Sequence, residues 1–462
     1  MMNGKAEAFF QGIKGKRVIV CGIGINNTPV VRQFLQAGAQ VTACDRRPPE
    51  QLDGRAEELE KLGARLCLGD GYLDDLDADL VLRTPGMKPY LPQLEAARRR
   101  GVTVTSEMEL FFELCPAPIY GVTGSDGKTT TTTILAGLLT AAGKTVHLGG
   151  NIGRALLPVI ADIQPEDAAV VELSSFQLAG MEQSPHVAVV TNVAPNHLDW
   201  HTDMKEYVDA KRNLVRHQQN GDRAVLNADN PVTVEYAKGL KSEVRWFSRR
   251  HSVERGAWLG EDGILYLKTD GDARPIMRTE DIRLPGIHNI ENFLAAITAA
   301  DVTDSGVAAE YARSFNGVPH RCELVAAADG VRWYNDSIAS SPSRTIAGLE
   351  AFDRPVIWIA GGYDKHIPYA PLGPVVARKV KYAILMGATA DAIQTAVRAC
   401  SDLPILRVSN MEDAVRAAKR QAAAGDIVFM SPASASFDLY KNFEQRGEHF
   451  RQLVHGMNVE SK

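Results

Sequence analysis

No cysteine of this 462-residue chain has a C-x-x-C partner; the six (Cys21, Cys44, Cys67, Cys115, Cys322, Cys400) are scattered. Neither a disulfide framework nor a zinc site is expected, and the thiols read as reduced core residues of a large chain. Long apolar runs are missing as well. No stretch reaches the length of about 18 apolar residues that a membrane span needs. The opening MMNGKAEAFFQGIKGKR lacks the apolar core of a signal peptide, so a cytoplasmic protein without membrane insertion is expected. Charge of one sign is not in excess: the formal net charge is -5, and no Lys/Arg block stands out. Nothing in the charge therefore points to nucleic acid or a membrane surface as partner. Repeats and low-complexity tracts are absent apart from the five threonines Thr129–Thr133, which read as the start of a helix.

What is present is a globular composition, 45% hydrophobic and 23% charged. The length suits about three domains at roughly 150 residues each. Short β-branched runs alternate with helical patterns. RVIVCGIG, QVTACD and LVLRTPG read as buried parallel strands, followed by amphipathic sequence such as Thr28–Ala37. PIYGVTG, AAVVELS and HVAVVTNV repeat the habit in the middle; PVIWIAGG, YAILMGA and DIVFMSP repeat it near the end. The alternation predicts an α/β fold with doubly wound sheets. Proline and glycine in ELCPAPIYG and FNGVPHRCE put boundaries near 115 and 318, giving blocks 1–115, 116–318 and 319–462. The segment 222–285 reads as a small β excursion attached to the central block.

Two strand–loop–helix turns invite phosphate. In GVTGSDGKTTT the glycines Gly124 and Gly127 let backbone N–H groups approach a phosphate, and the helix dipole adds about half a positive charge. Lys128 supplies a cation toward the β/γ oxygens and Thr129 a hydroxyl for Mg²⁺. Val122 breaks the G-x-x-x-x-G-K-T spacing, and the match is to G-x-x-G-x-x-G-K-T. The earlier loop GIGINN has Gly22 and Gly24 but Asn27 at the third glycine position, with Asp45 about twenty residues on. By itself it fits a dinucleotide, a different phosphate-bearing ligand or a structural turn, and an NAD-dependent oxidoreductase stays open at this point. Glu172, ending AAVVE, suits Mg²⁺ or a capping role. Asn192 and His197 end the next strand, His197 as a site residue or a core histidine. Lys211 sits in EYVDAKRNLV, where spacing alone reads as a solvated helix face.

GVTGSDGKTTT, GGNIG (Gly149–Gly153), VELSSFQL, NHLDWH, LPGIHNIENFLAA and PHRCE together resemble the Mur ligases, ATP-dependent amide-forming enzymes of peptidoglycan precursor synthesis. YNDSIASSPSRT, AGGYDKHIPY and MSPASASFDLYKNFEQRGEHF resemble the D-glutamate-adding branch. A D-N-P-R-type motif and an H-F-I-G-type opening, expected in other branches, are absent, and folylpolyglutamate synthases lack the N-terminal domain.

The resemblance implies a Rossmann-like N-terminal domain for the UDP part of UDP-N-acetylmuramoyl-L-alanine, a central P-loop ATPase-type domain and a Rossmann-like C-terminal domain for D-glutamate, in a monomer. Ile25, Asn26, Asp45 and Arg46, with Thr84 and Gly86 of RTPGM, would meet the UDP substrate. Gly124, Ser125, Asp126, Gly127, Lys128, Thr129 and Thr130 would hold the phosphates of ATP, and Asn289, Asn292, Arg321 and Asp336 the rest of it, Asp336 at the ribose. Thr129 and Glu172 would serve one Mg²⁺, His197 and Lys211 a second, with Lys211 N-carboxylated by CO₂; Asn151 would contact substrate nearby. Lys365, oriented by Asp364, would form the D-glutamate pocket with Ser436, Phe437 and Phe443. Ile338 departs from relatives that carry lysine there.

Overall fold

The structure, a computed structural model, describes residues 4–194, 200–365 and 367–459. The first sheet holds β1 (Arg17–Cys21), β2 (Gln40–Asp45), β3 (Arg65–Leu68), β4 (Leu80–Arg83) and β5 (Thr103–Ser106), all parallel, in the order β3-β2-β1-β4-β5. The chain leaves β1 to one side and returns at β4 on the other. This reversal opens a crevice at the strand ends, where the Gly22–Gly24 loop lies.

The second sheet is built from β6 (Ile119–Thr123), β7 (Val146–Gly150), β8 (Ala168–Glu172), β9 (Val187–Val190), β10 (Arg223–Asn227), β11 (Glu243–Ser248), β12 (Gly256–Leu259), β13 (Ile264–Lys268) and β14 (Arg274–Arg278). Its order is β14-β13-β12-β11-β10-β9-β6-β8-β7, parallel as far as β12 and antiparallel beyond. The expected β excursion of 222–285 is attached here as the outer strands β10–β14, hydrogen-bonded onto β9. β6 lies between β8 and β9, so the loop after β6 opens between the ends of both neighbours.

The third sheet contains β15 (Glu323–Ala328), β16 (Val331–Asn335), β17 (Val356–Gly361), β18 (Val380–Met386), β19 (Ile405–Arg407) and β20 (Ile427–Met430). Only β15 is antiparallel in the order β15-β16-β20-β17-β18-β19. Alternate residues feed two cores: Trp358 and Phe429 pack on one face, Ile357 and Val428 on the other.

Contacts group the chain into two compact units, Met1–Thr279 with Glu291–Tyr311, and Glu280–Ile290 with Ala312–Lys462. Within the first unit the two sheets share one apolar core, in which Phe34 and Phe111 join Leu157, Leu173 and Tyr207. Polar ties reinforce it. Glu107 Oε1 accepts the Leu156 and Leu157 N–H groups at 3.2 and 3.0 Å. Arg83, 2% exposed, donates to Ala179 O at 2.9 Å.

Candidate active site

The glycine-rich loop after β6 runs into the helix Lys128–Ala141, which the five threonines open as expected. Gly127 takes φ 76°, and a Cβ there would collide with Asn292 Oδ1; a Cβ on Gly124 would collide with Thr191 Oγ1. Only glycine fits a loop held this closely. The end of β9 holds it. Ser125 N donates to Asn192 O (2.9 Å), Asp126 N to Asn192 Oδ1 (3.0 Å), and Thr191 Oγ1 to Asp126 O (2.6 Å). Lys128 Nζ folds back to donate to Gly124 O and Ser125 O at 3.0 and 2.9 Å. Thr129 and Thr130 sit half-buried in the first helical turn. Asn292, on the helix His288–Ala300, accepts from Thr131 Oγ1 at 3.1 Å; Asn289, one turn earlier, donates to Pro285 O at 2.7 Å.

Two ionisable side chains are buried beside the loop. Glu172 pairs in register with Val122 and is 1% exposed. Its Oε1 accepts from Asn151 Nδ2 at 2.6 Å, while Oε2 has no hydrogen-bond partner among the described residues. Lys211, on the helix Met204–Arg216, is also 1% exposed. Its Nζ donates to Gly124 O (2.7 Å) and Thr123 Oγ1 (3.3 Å) and lies 4.8 Å from the centre of the Tyr207 ring. The solvated-face reading is therefore overturned, because the face carrying Lys211 packs onto the end of β6. Burial, then the Lys128 cation, push its pKa well below the usual lysine range, against the pull of Asp126 and Glu172.

His197 lies outside the described residues. His201, which the sequence reading passed over, is buried with Nε2 2.9 Å from Ser175 Oγ and its ring among Phe176, Trp200 and Tyr207. Nothing in NHLDWH marks which histidine packs inward.

At the loop of the first sheet Gly22 takes φ 96°, and a Cβ there would sit 2.9 Å from Thr84 Cβ. Asn27 fills the third glycine position because its Nδ2 caps Cys21 O and Gly22 O, both at 3.2 Å. Asp45 accepts from Ile23 N at 2.8 Å and from Arg47 N and Nη2 at 2.9 and 2.8 Å. Burial would raise its pKa, but these bonds outweigh it and hold the carboxyl below its usual range. Arg47, not Arg46, engages Asp45, and the sequence reading missed it; Arg46 and Ile25 are exposed and Asn26 half-buried. Gly86 O accepts from Trp200 Nε1 at 3.0 Å.

In the second unit Arg321 stands exposed between His320 (φ 63°) and Cys322 (φ 43°), two non-glycine residues in left-handed conformations. Such strain concentrates at functional sites. Asp336 follows β16 and accepts from Cys322 N (3.1 Å) and Ser431 Oγ (2.8 Å). Burial nonetheless raises its pKa to about 7. Beyond β17, Lys365 is exposed, and Tyr363 N donates to Ala435 O at 2.9 Å, joining that loop to the one carrying Ser436 and Phe437. Ser436 is buried; Phe437 is 61% exposed, its ring edge-on to Tyr363 at 5.9 Å. Phe443 is half-buried, edge-on to His320 at 6.1 Å. A residue unassigned by the sequence reading lies beneath them: Arg446, 1% exposed, whose only signal was its place in the EQRG of a quoted motif.

Comparison with known proteins gives the chain a family. The Mur ligase middle domain matches residues 122–300, and the Mur ligase, glutamate ligase domain matches 320–434. UDP-N-acetylmuramoylalanine--D-glutamate ligase of Acetivibrio thermocellus is 50% identical over 468 residues, covering 99% of this chain and all (100%) of the relative. The protein of the same name from Symbiobacterium thermophilum is 48% identical, covering 96% of this chain and 98% of the relative. Among solved structures, UDP-N-acetylmuramate-alanine ligase of Thermotoga maritima matches with TM-score 0.58 at 18% identity, over 96% of this chain and 100% of that one. MurF ligase of Thermotoga maritima in complex with ADP matches with TM-score 0.54 at 17% identity, over 97% of each chain. At such identities the structures speak to fold alone. With the two domains in order along the chain and half the residues shared with a full-length relative, the chain belongs to the Mur ligase family.

Proposed function

We infer that this chain is an ATP-dependent amide ligase that adds D-glutamate to UDP-N-acetylmuramoyl-L-alanine, a cytoplasmic step of peptidoglycan precursor synthesis. Relatives of that name, 50%, 48% and 44% identical over nearly the whole chain, support it. The observation that carries the chemistry is the buried pair beside the Gly124–Lys128 loop: Lys211, and Glu172 with one oxygen unpartnered among the described residues.

A carboxylate is a poor electrophile, and ATP makes it a good one. The free carboxylate of the alanyl group attacks the γ-phosphorus, the bond to the β-phosphate oxygen breaks, and ADP leaves an acyl phosphate. The amine of D-glutamate adds to the acyl carbon. The tetrahedral intermediate expels inorganic phosphate and loses a proton from nitrogen, leaving the amide. The protein's part is positioning and charge compensation between anionic reactants.

The loop 124–130 and Lys128 would hold the phosphates, with Asn289, Asn292, Arg321 and Asp336 around the rest of ATP. The unpartnered, buried Glu172 oxygen fits a divalent cation, which Thr129 and Glu172 would hold, with His197 and Lys211 at a second. Bound there, Mg²⁺ neutralises charge on the γ-phosphate oxygens. Among the described residues no cluster of three or more His, Cys, Asp or Glu is arranged for a metal. Mg²⁺ commonly takes one or two carboxylates and fills its shell from substrate phosphates and water. Burial pushes the Lys211 pKa well below the usual lysine range, and an amine that has given up its proton can add to CO₂: the N–C bond forms, a proton leaves, and the carbamate would be an anion where a metal would otherwise meet an ammonium.

Ile25, Asn26, Asp45, Arg46, Thr84 and Gly86 would meet the UDP substrate, Asn151 the substrate near the metals, and Lys365, Ser436, Phe437 and Phe443 the D-glutamate. The corresponding domains are 1–115, 116–318 and 319–462, in a monomer. No helix of the described residues is long and apolar enough to cross a membrane. The test is ADP release with each reactant withheld in turn. Release should need ATP, Mg²⁺, UDP-N-acetylmuramoyl-L-alanine and D-glutamate together. Equal release with D-alanine or L-lysine would sink the pocket assignment.

A further inference from the structure

We propose that Arg446 is the positioning residue of the acceptor pocket, a buried fixed cation that ties three loops together and biases the pocket toward an amino acid with an acidic side chain. The proposal rests on the assignment of Lys365, Ser436 and Phe437 to that pocket. Arginine is among the residues least often fully buried, and one at 1% exposure calls for a reason.

The side chain, on the helix Phe443–Val459, donates Nε to Ser337 Oγ (3.0 Å) and Nη2 to Ser337 O (2.9 Å). Its Nη1 donates to Ser434 O (3.1 Å) and Ala435 O (2.9 Å). A third loop presses on it: a Cβ on Gly362 would come within 3.1 Å of Nη1 and collide with Ala435 O. The guanidinium is thus the common support of the segments leading to Ile338, Lys365 and Ser436. All four acceptors are neutral, so they satisfy the N–H groups without cancelling the charge. Among the described residues no carboxylate forms an ion pair with Arg446. Asp438 acts on it at longer range, with its Oδ2 engaged by Ala388 N at 3.2 Å. Burial lowers the guanidinium pKa only to about 10, so it stays charged at neutral pH. Ile338, which follows Ser337, brings no charge. Arg446, behind the backbone of these loops, is thus a fixed positive charge that Asp438 offsets only at longer range, beside the exposed Lys365 assigned to the pocket. A field of this kind acts on the acidic side chain of the acceptor, where a tie alone would not.

The experiment compares the wild type with R446M, R446K and S337A in the full chain, measuring kcat and KM for D-glutamate, its neutral isostere D-glutamine, and ATP. R446M should raise the KM for D-glutamate on the order of tenfold, leave the KM for ATP near wild type, and narrow the preference for D-glutamate over D-glutamine. R446K keeps the charge and should keep the preference while losing turnover; S337A removes one acceptor of Arg446 and the hydroxyl's bond to Phe443 O (2.8 Å), leaves the charge, and should keep the preference too. A tie without electrostatic effect would lower turnover or stability and leave the preference unchanged. An unaltered preference in R446M, or one lost equally in R446K or S337A, overturns the proposal. Should R446M not fold, R446Q, which also removes the charge but keeps hydrogen-bonding capacity, takes its place: a narrowed preference in R446Q supports the proposal, and an unaltered one overturns it. A wild type inert toward D-glutamate sinks the functional reading itself, whereas an active wild type with unchanged selectivity in R446M sinks this proposal alone.

Discussion

Lys211 is a buried amine whose pKa burial pushes well below the usual lysine range, and its Nζ donates to Gly124 O and Thr123 Oγ1 beside the glycine-rich loop. If an anion formed on it is what the reaction needs, Lys211→Ala should lower kcat by at least about 100-fold, the scale of losing one preorganised electrostatic group. Short carboxylic acids added to the assay should restore part of the rate; a fully active variant returns Lys211 to a packing role. Asp336 makes the pH argument. Its folded pKa of about 7 stands above the ordinary carboxyl value of 3.8 because burial disfavours its charge. The folded state then binds this proton more tightly than the unfolded chain, so its contribution to stability is complete below the unfolded value. It is lost as pH rises toward 7 and is flat beyond. Asp336→Asn should flatten that decline, compared by urea unfolding at pH 5 and pH 8. An unchanged slope would show that Asp336 does not cause it.

Elements were the most legible level. QVTACD is β2 (Gln40–Asp45) residue for residue, and the amphipathic Thr28–Ala37 is the helix Asn27–Gln36. Where reading and structure differ, a glycine decides: RVIVCGIG stops being strand at Cys21 because Gly22 takes φ 96° beneath Thr84. The turn before the helix Lys128–Ala141 supplies a sharper test. Gly127→Ala combines a left-handed backbone with a collision at Asn292 Oδ1. The variant should lose about 1–3 kcal/mol of stability and bind ATP more weakly, read by denaturant unfolding and nucleotide titration. Wild-type stability would mean that the loop relaxes at no cost.

At the scale of the whole molecule, the first two sheets are one packed body. Glu107, on the helix following β5, is buried and accepts two N–H groups from the second sheet's connection at Leu156 and Leu157. Glu107→Ala leaves both donors without that acceptor and should cost about 1–3 kcal/mol. The loss should appear in a single unfolding transition shared by probes placed in residues 1–115 and in the second sheet. Separate transitions would show that the shared core does not couple them. The proline-marked boundary near 115 records a change of sheet, which chain chemistry can reveal; the continuity of packing across it involves residues far apart in the chain and leaves no local trace.

Read alone, the amino-acid order determined the strand–loop–helix rhythm, the two glycine turns and the family resemblance, because each depends on residues that are neighbours in the chain. Only tertiary structure decided that Lys211 is buried, that a Glu172 oxygen lacks a hydrogen-bond partner among the described residues, that Arg47 engages Asp45, and that Arg446 supports three loops. Those properties come from desolvation and from contacts between distant segments. Lys211 meets Gly124 across 87 residues and Arg446 meets Ser337 across 109, separations over which no local pattern carries the information.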